Sequence, residues 1–215
     1  MILVDLNQVM ISNLMGAIGS KKNVAIEEDL VRHMVLNALR GYKAKFSDKY
    51  GQLILCCDDK HYWRRDIFPY YKASRKKDRN SSGFDWHAIF DTIRIVKEEI
   101  KENFPYKVIQ IPHAEADDVI GSICHAHGVI KPNGVIPQDI LILSGDKDFV
   151  QLQKYANVEQ YSPIQKKFIR VSNPAAFICE HILKGDRGDG VPNFLSADNT
   201  FVTEGRQKPL TSKKL

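Results

Sequence analysis

Four short apolar runs, separated by segments with helical periodicity, constrain the fold of this 215-residue chain most strongly. Continuous apolar runs of this length are typical of strands buried on both faces of a sheet. Strands that alternate with helices imply right-handed crossovers, so we predict an α/β fold with a mostly parallel central sheet flanked by helices. The predicted strands are MILVDL, QLILCCD, YKVIQI and DILILS; helices are predicted over 26–46, 84–103, 115–127 and 174–184, and a hairpin from VEQY and KFIRV.

Acidic residues follow these strands or open the helices after them. Ligands of parallel sheets bind beyond the carboxyl ends of the strands, so these side chains are expected to share one pocket. Crowded carboxylates stay ionised only beside a compensating cation, and their oxygens suit Mg²⁺ or Mn²⁺. The residues are Asp5 after MILV, Asp58 and Asp59 after LILCC, Glu115, Asp117 and Asp118 in AEADDVIGSI, Asp146 and Asp148 after ILILS, and Asp186 and Asp189 in GDRGDG.

Each acidic cluster taken alone also has a purely structural explanation. Asp146 and Asp148 could form an Asx-turn that closes a strand. The acids of EADD could cap a helix and complement its dipole. Gly185 could end a helix just before GDRGDG. Only the occurrence of all the clusters in one chain favours a metal site.

Other chemistries find little support in the sequence. The cysteines (Cys56, Cys57, Cys124 and Cys179) show neither metal spacing nor a disulfide framework, which indicates a reducing compartment. The seven histidines lack zinc spacing and are interpreted as surface or structural residues. No apolar run approaches the roughly 18 residues of a membrane span. We therefore expect a cytoplasmic protein without membrane contact.

The net charge of +5 comes from one segment. Residues 60–79 contain eight Lys or Arg against two Asp, whereas the other 195 residues are nearly balanced. Such a run is often only a solvated face. Here the cations alternate with aromatic rings, and that mixture suits a nucleic-acid strand, because phosphates pair with cations and bases stack on rings.

In series, the motifs VDLN, CCDD, AEADDVIG, SGDKDFVQL and LKGDRGDGVPN resemble the acidic blocks of the five-prime nuclease (flap endonuclease) family. YWRRD and YYKASRKK are similar to the arch of that family, with its Tyr-Lys-x-x-Arg element. The resemblance covers about residues 1–192 and implies a PIN-like fold. It implies a nuclease domain over 1–183, with a basic arch at 60–83. Residues 184–215 would begin a helix–three-turn–helix DNA-binding region that is truncated or partly disordered.

The resemblance also implies roles for individual residues. A first metal site would use Asp5, Asp58, Glu115, Asp117 and Asp146, supported by Asp118, and a second site Asp148, Asp186 and Asp189. Lys72 and Arg75 would face the scissile phosphate, with Asp146 as the third catalytic residue. Nucleic acid would contact Tyr62, Trp63, Arg64, Arg65, Lys72, Arg75, Lys76, Lys77 and Arg79.

The implied activity is metal-dependent hydrolysis of phosphodiesters from 5′ ends, on 5′-flapped DNA and RNA–DNA hybrids. Two Mg²⁺ ions about 4 Å apart would flank the scissile phosphate, and Mn²⁺ would substitute for them. Expected partners are a single-stranded-DNA-binding protein and the replisome, where the enzyme would remove RNA primers or flaps. Two alternatives remain. A haloacid-dehalogenase-type phosphatase needs Asp-x-Asp after the first strand, whereas Leu6 and Asn7 follow Asp5 here. A non-catalytic DNA-binding module is the other.

Overall fold

A single sheet, in the strand order β3-β2-β1-β4-β5-β6, organises the protein. The computed structural model describes residues 1–19, 26–129, 138–203 and 205–211. Within those ranges the strands are β1 (Ile2–Asp5), β2 (Leu53–Cys57), β3 (Lys107–Gln110), β4 (Ile140–Leu143), β5 (Val158–Ser162) and β6 (Lys167–Ile169). The helices are α1 (Leu6–Ile18), α2 (Glu28–Tyr50), α3 (Trp63–Ile67), α4 (Ser74–Ser82), α5 (Trp86–Asn103), α6 (Ala116–His127) and α7 (Pro174–Lys184), with a 3₁₀ helix at Lys147–Lys154.

The sheet is parallel except at one edge. Ile2 of β1 pairs with Leu53 of β2 on one side and with Leu141 of β4 on the other, both in parallel register. β5 pairs in parallel with β4, and only β6 runs antiparallel, to β5. The predicted α/β fold class and the predicted hairpin are therefore confirmed.

Both faces of the sheet are covered, which explains the continuous apolar runs. Adjacent strand residues point to opposite faces. Ile2 and Val4 join the core under α1, α2 and α5, whereas Leu3 joins the core under α6 and the 3₁₀ helix. All three side chains are fully buried. Every position of β1 must therefore be apolar until the strand reaches the sheet edge at Asp5.

Two parts of the chain have structure that the sequence patterns did not predict. The first strand ends at Asp5, and α1 begins at Leu6 rather than after a longer strand. The basic segment 60–83 contains α3 and α4. Residues 185–203 and 205–211 form turns and one isolated bridge, between Asp186 and Val191.

The domain boundary at residue 183 and the nature of 184–215 stay predictions. None of the helices in the described ranges is long and apolar enough to cross a membrane.

Candidate active site

Four aspartates from three strand ends and one helix surround a cavity of about 390 Å³. Asp5 is the last residue of β1, and Asp58 directly follows β2. Asp117 lies in the first turn of α6, and Asp146 caps the 3₁₀ helix after β4. The strand order places β1 between β2 and β4, so the fold brings together residues that are up to 141 positions apart in sequence.

Backbone amides orient three of these carboxylates, those of Asp5, Asp58 and Asp146. Asp5 Oδ1 accepts a hydrogen bond from Gln8 N at 3.0 Å, which makes Asp5 the N-cap of α1. Asp58 Oδ1 accepts from Ala116 N at 2.8 Å and so ties the end of β2 to the start of α6. Asp146 Oδ1 accepts from the amide of the second residue of its 3₁₀ helix at 2.9 Å. One acceptor lobe of each carboxylate is thus used for positioning.

In the cavity, four carboxyl groups face two cations, Lys72 and Arg75. Burial, with the nearby Asp58 and Asp146, raises the pKa of Asp5 to about 7. Burial, with Asp5 and Asp146, raises the pKa of Asp117 to about 8. No donor in the described part of the chain forms a hydrogen bond to the Asp117 carboxylate. Converging, poorly solvated carboxylate oxygens suit a hard divalent cation, so these residues fit a metal ion of the Mg²⁺ type.

These shifts predict that the metal-free protein loses stability as the pH rises. The pKa of Asp5 and Asp117 is higher in the folded protein than in the unfolded chain, so the folded protein keeps protons that the unfolded chain releases above about pH 4. The free energy of unfolding should fall by roughly 3 kcal/mol for each of these two carboxyl groups between about pH 5 and pH 8. Melting in EDTA measures this fall, and Mg²⁺ should raise the melting temperature more at the higher pH.

The control is Asp5→Asn, which keeps an oxygen acceptor for Gln8 N but removes one charge. This variant should melt at a higher temperature than the parent in EDTA at about pH 8. A melting temperature in EDTA that stays constant or rises over the same pH range would contradict the charge-crowding interpretation.

A second cluster lies beside the first and contains a histidine. His181 Nε2 of α7 lies 2.9 Å from Asp148 Oδ1 and 3.6 Å from Asp186 Oδ2. One ligand atom from each of these three residues lies within 4.8 Å of the other two. Lys147 Nζ lies 2.9 Å from Asp186 Oδ2. The predicted second-site residues Asp148 and Asp186 are thus close together.

Asp189, the third residue predicted for the second site, faces the arch. Its Oδ1 lies 2.8 Å from Arg75 Nη2 and 3.8 Å from Lys72 Nζ. Burial raises its pKa, against the opposing effect of those two cations. The cavity lined by Asp117 and Asp118 also reaches Asp148 and Asp189, so the two carboxylate groups are continuous.

Glu115 and Asp118 contact cations of the arch and do not line the aspartate cavity. Glu115 is 1% exposed. Its Oε1 lies 2.6 Å from Lys72 Nζ, and its Oε2 accepts from Tyr71 Oη at 2.8 Å and Arg64 Nη1 at 3.0 Å. Arg64 also forms a two-pronged pair with Asp118, at 2.8 and 2.9 Å. Two predicted metal ligands are therefore bound by cations of the arch.

The residues predicted to contact nucleic acid lie in different surroundings. Lys72 and Arg75 line the aspartate cavity. Several of them contact other side chains: Arg64 lies over the ring of Trp63, Arg65 over that of Tyr62, and Arg79 over those of Trp86 and Phe90. Arg65, Lys76 and Lys77 are exposed. The arch thus presents exposed cations outside and directs two cations toward the carboxylates.

The arch is joined to the GDRGDG turn at a point where only glycine fits. Gly190 has a φ of 77°, and a Cβ there would lie 2.7 Å from the Tyr70 carbonyl oxygen. The adjacent Lys72 N donates to Asp189 O at 2.8 Å. Gly190→Ala should therefore destabilise the protein by about 1–3 kcal/mol and displace Lys72 from the cavity.

We expect the Gly190→Ala variant to cleave substrate about 10²-fold more slowly, because a misplaced positioning group costs about that much in rate. Thermal melting and single-turnover assays measure the two effects. Gly16→Ala is the control, because a Cβ on Gly16 of α1 meets no atom within 4 Å. Wild-type stability and activity in Gly190→Ala would show that the arch does not depend on this contact.

Several residues at the site were not singled out from the sequence. Asn7 Nδ2 donates to Asp58 Oδ2 at 2.8 Å, and Ser144 Oγ donates to Asp5 Oδ2 at 3.3 Å. Tyr71 and His181 also lie at the site, although the sequence predicts only surface or structural roles for the histidines. Asn7 and Tyr71 lie inside the motifs VDLN and YYKASRKK, which could have indicated them. Asp59 instead accepts from His113 N at 2.8 Å and does not line the cavity.

The sequence is similar to known nucleases. Residues 30–180 match the family described as 5′-3′ exonuclease, N-terminal resolvase-like domain. The chain is 35% identical over 214 residues to the ribonuclease H of Enterobacteria phage T4, a match that covers 96% of this chain and 68% of that protein. It is 28% identical over 147 residues to a 5′-3′ exonuclease of Buchnera aphidicola subsp. Schizaphis graminum, a match that covers 65% of this chain and 46% of that protein.

The fold is similar to solved structures of bacteriophage T5 proteins. A T5 5′-exonuclease with bound zinc ions matches with a TM-score of 0.64 and 18% identity, over 90% of this chain and 69% of that one. A T5 flap endonuclease in a complex with DNA and metal ions matches with a TM-score of 0.67 and 16% identity, over 94% of this chain and 72% of that one. The sequence matches cover most of the chain, and the chain therefore belongs to the 5′-3′ exonuclease family and is a relative of a phage ribonuclease H.

Proposed function

We propose that this chain is a Mg²⁺-dependent nuclease that hydrolyses phosphodiesters near 5′ ends, on 5′-flapped DNA and on the RNA of RNA–DNA hybrids. The observation that carries the proposal is the single cavity bounded by four aspartates and by Lys72 and Arg75. The carboxylates suit metal ions and the two cations suit a phosphate. Relatives named ribonuclease H and flap endonuclease support the substrate classes.

The proposed metal ligands fall into two sets. Asp5, Asp58, Asp117 and Asp146 would hold one Mg²⁺, and Asp148, Asp186 and Asp189 a second, with Mn²⁺ as a substitute. Bound divalent ions supply Lewis-acid stabilisation of phosphate oxygens and acidify water near neutral pH. Glu115 belongs to the first set in this proposal. Since Lys72 Nζ lies 2.6 Å from its Oε1, Lys72 must move away before Glu115 can bind an ion.

Lys72 and Arg75 are proposed to orient the scissile phosphate. Both line the aspartate cavity, and before any metal ion binds they lie against carboxylates, Lys72 against Glu115 and Arg75 against Asp189. A cation fixed in a site of low water content stabilises charge that develops on phosphoryl oxygens. Asp118 would keep Arg64 away from the cavity through its two-pronged pair.

Water is the proposed nucleophile, because the nearby cysteines are unsuited to attack. Cys56 and Cys57 precede Asp58 but are fully buried. Burial raises the pKa of the Cys57 thiol to about 12, and burial also raises that of Cys56. Thiols of this kind stay protonated and inert near neutral pH. The hydrolysis would leave a 5′ phosphate on the product.

The arch is proposed to guide the single strand toward the cavity. The exposed cations Arg65, Lys76 and Lys77 would meet phosphates. Tyr62 and Trp63 would stack bases only after Arg65 and Arg64 leave their rings. Arg79 lies 4.7 Å from the Phe90 ring centroid and would have to release α5 first. The proposed setting is a replication fork in the cytoplasm, of a host cell if the gene is viral, with a single-stranded-DNA-binding protein and a polymerase nearby.

A substrate panel tests the proposed function. The full chain is assayed with a 5′-flap, an RNA–DNA hybrid and single-stranded DNA, in Mg²⁺ and in EDTA. We expect Mg²⁺-dependent release of short 5′ products from the first two substrates, carrying 5′ phosphates. Binding of all three substrates without cleavage in Mg²⁺ or Mn²⁺ would instead identify a non-catalytic DNA-binding module.

A further inference from the structure

We propose that His181 adds an imidazole nitrogen to the metal site of Asp148 and Asp186, so that this site selects Co²⁺ or Zn²⁺ over Mg²⁺. The inference rests on the proposed function, because it refines the second of the two proposed metal sites. It concerns a ligand and a metal preference that the acidic motifs alone do not indicate.

The three side chains already converge. His181 Nε2 lies 2.9 Å from Asp148 Oδ1 and 3.6 Å from Asp186 Oδ2, and the three ligand atoms are all within 4.8 Å of one another. Metal–nitrogen and metal–oxygen bonds of about 2.0–2.2 Å place two ligands of one ion at most about 4.4 Å apart. A small change of side-chain angle is therefore enough to place one ion between them.

The fold fixes the histidine ring independently of the two aspartates. His181 lies in the last turn of α7, where its carbonyl oxygen accepts from Gly185 N at 2.9 Å. Its ring stacks on that of Phe177, one turn earlier, with centroids 6.1 Å apart. The side chain is only 15% exposed. A ring held in this way is a prearranged ligand rather than a mobile surface group.

The aspartates have capacity for an ion. His181 is the only residue in the described ranges that lies within hydrogen-bond distance of the Asp148 carboxylate through its side chain. Asp186 is also paired with Lys147 Nζ, but that lysine side chain is 51% exposed and can turn to solvent. An ion that displaces Lys147 would still find two carboxylates and one imidazole.

The ligand types make the two proposed sites chemically different. The cavity of Asp5, Asp58, Asp117 and Asp146 offers carboxylate oxygens, which suit Mg²⁺. Imidazole suits ions such as Zn²⁺, and affinity for sites with nitrogen ligands rises from Mn²⁺ through Co²⁺. The added nitrogen ligand should therefore favour Co²⁺ and Zn²⁺ over Mg²⁺ at the second site alone.

Calorimetric titration tests this selectivity. Co²⁺ and Mg²⁺ are titrated separately into the metal-free wild type, His181→Ala and His87→Ala. We expect His181→Ala to weaken Co²⁺ binding at one site by about tenfold or more, as loss of a ligand-shell group does, with little change for Mg²⁺. The control His87 also faces an aspartate, Asp91 at 3.0 Å, but both lie exposed on α5. Loss of the His87 side chain should change the affinity for neither Co²⁺ nor Mg²⁺.

A second test uses only the wild-type protein, so its result does not depend on whether His181→Ala folds. Zn²⁺ is added while the side-chain ¹⁵N signals of the histidines are followed by NMR. The Nε2 signal of His181 should shift at stoichiometric Zn²⁺. Zn²⁺ binding without that shift, or equal loss of Co²⁺ and Mg²⁺ affinity in His181→Ala, would overturn the inference and leave His181 as an ion-pair partner. Failure of the proposed function is a separate result, namely absent Mg²⁺-dependent cleavage by the wild type.

Discussion

Asp146→Asn should reduce cleavage in Mg²⁺ by about 10³-fold or more, while DNA binding stays intact or becomes tighter. The carboxylate lines the cavity with Asp5, Asp58 and Asp117, and its charge is proposed to hold the metal ion. Removing one negative charge also reduces repulsion of the phosphate backbone, so affinity should not fall. Single-turnover cleavage and fluorescence anisotropy in EDTA measure the two properties.

The fold should tolerate this change, which makes the test clean. Asp146 Oδ1 accepts from Asp148 N at 2.9 Å and caps the 3₁₀ helix, and the amide oxygen of asparagine can accept the same hydrogen bond. Asp91→Asn is the matched control, since Asp91 lies on the exposed side of α5 and is 46% exposed. Undiminished cleavage by Asp146→Asn would remove the basis for the metal assignment.

Lys72→Ala should slow the chemical step by about 10²- to 10³-fold, as removal of one fixed charge-stabilising group does. Lys72 is only 12% exposed, and its ammonium is held at the cavity by Glu115, at 2.6 Å. Glu115 keeps Tyr71 and Arg64 after the change, so the free energy of unfolding should fall by only about 1–3 kcal/mol. Substrate affinity should fall modestly.

The variant Lys76→Ala separates an effect on the chemical step from an effect on electrostatic binding of the substrate. Lys76 is exposed on α4 and does not line the cavity. Its loss should raise KM and reduce the salt dependence of binding by about one unit, with kcat unchanged. If Lys72→Ala lowered only the melting temperature, with normal kcat per folded molecule, Lys72 would be a structural residue.

The sheet was predictable because both of its faces are buried. Every residue of β4 and the first three residues of β1 pack in a core, so the sequence shows uninterrupted apolar runs instead of alternation. The parallel topology places Asp5, Asp58 and Asp146 at one edge. For this reason the order of strands and helices along the chain is enough to group residues that are far apart in sequence.

Helix α1 was missed because one residue has two roles. Asp5 was interpreted only as a metal ligand, although it is also the N-cap of α1. Leu6, Val9 and Met10 continue at helical spacing and are fully buried, but Leu6 was assigned to the preceding strand. If Asp5 is interpreted as an N-cap as well as a metal ligand, the predicted strand ends at Asp5, one residue earlier, and the helix begins at Leu6.

The tertiary contacts of the charged residues could not be read from the sequence. His181 lies 33 positions from Asp148, a spacing that belongs to no metal motif. The arch cations were assigned to nucleic acid from their density and their aromatic neighbours, whereas Arg64 and Lys72 lie against Glu115. Pairing of these charges depends on how the arch packs over α6, and local composition carries no information about that packing.

Counting bound Mn²⁺ by electron paramagnetic resonance tests most directly that the strand-end carboxylates form a metal centre. The free Mn²⁺ signal is recorded while the ion is titrated into the metal-free wild type and Asp146→Asn. The expected result is two ions bound per wild-type chain and loss of the ion in the Asp5, Asp58, Asp117 and Asp146 cavity from the variant. A wild-type chain that binds no Mn²⁺, or an Asp146→Asn variant that binds as many ions as tightly, would contradict it.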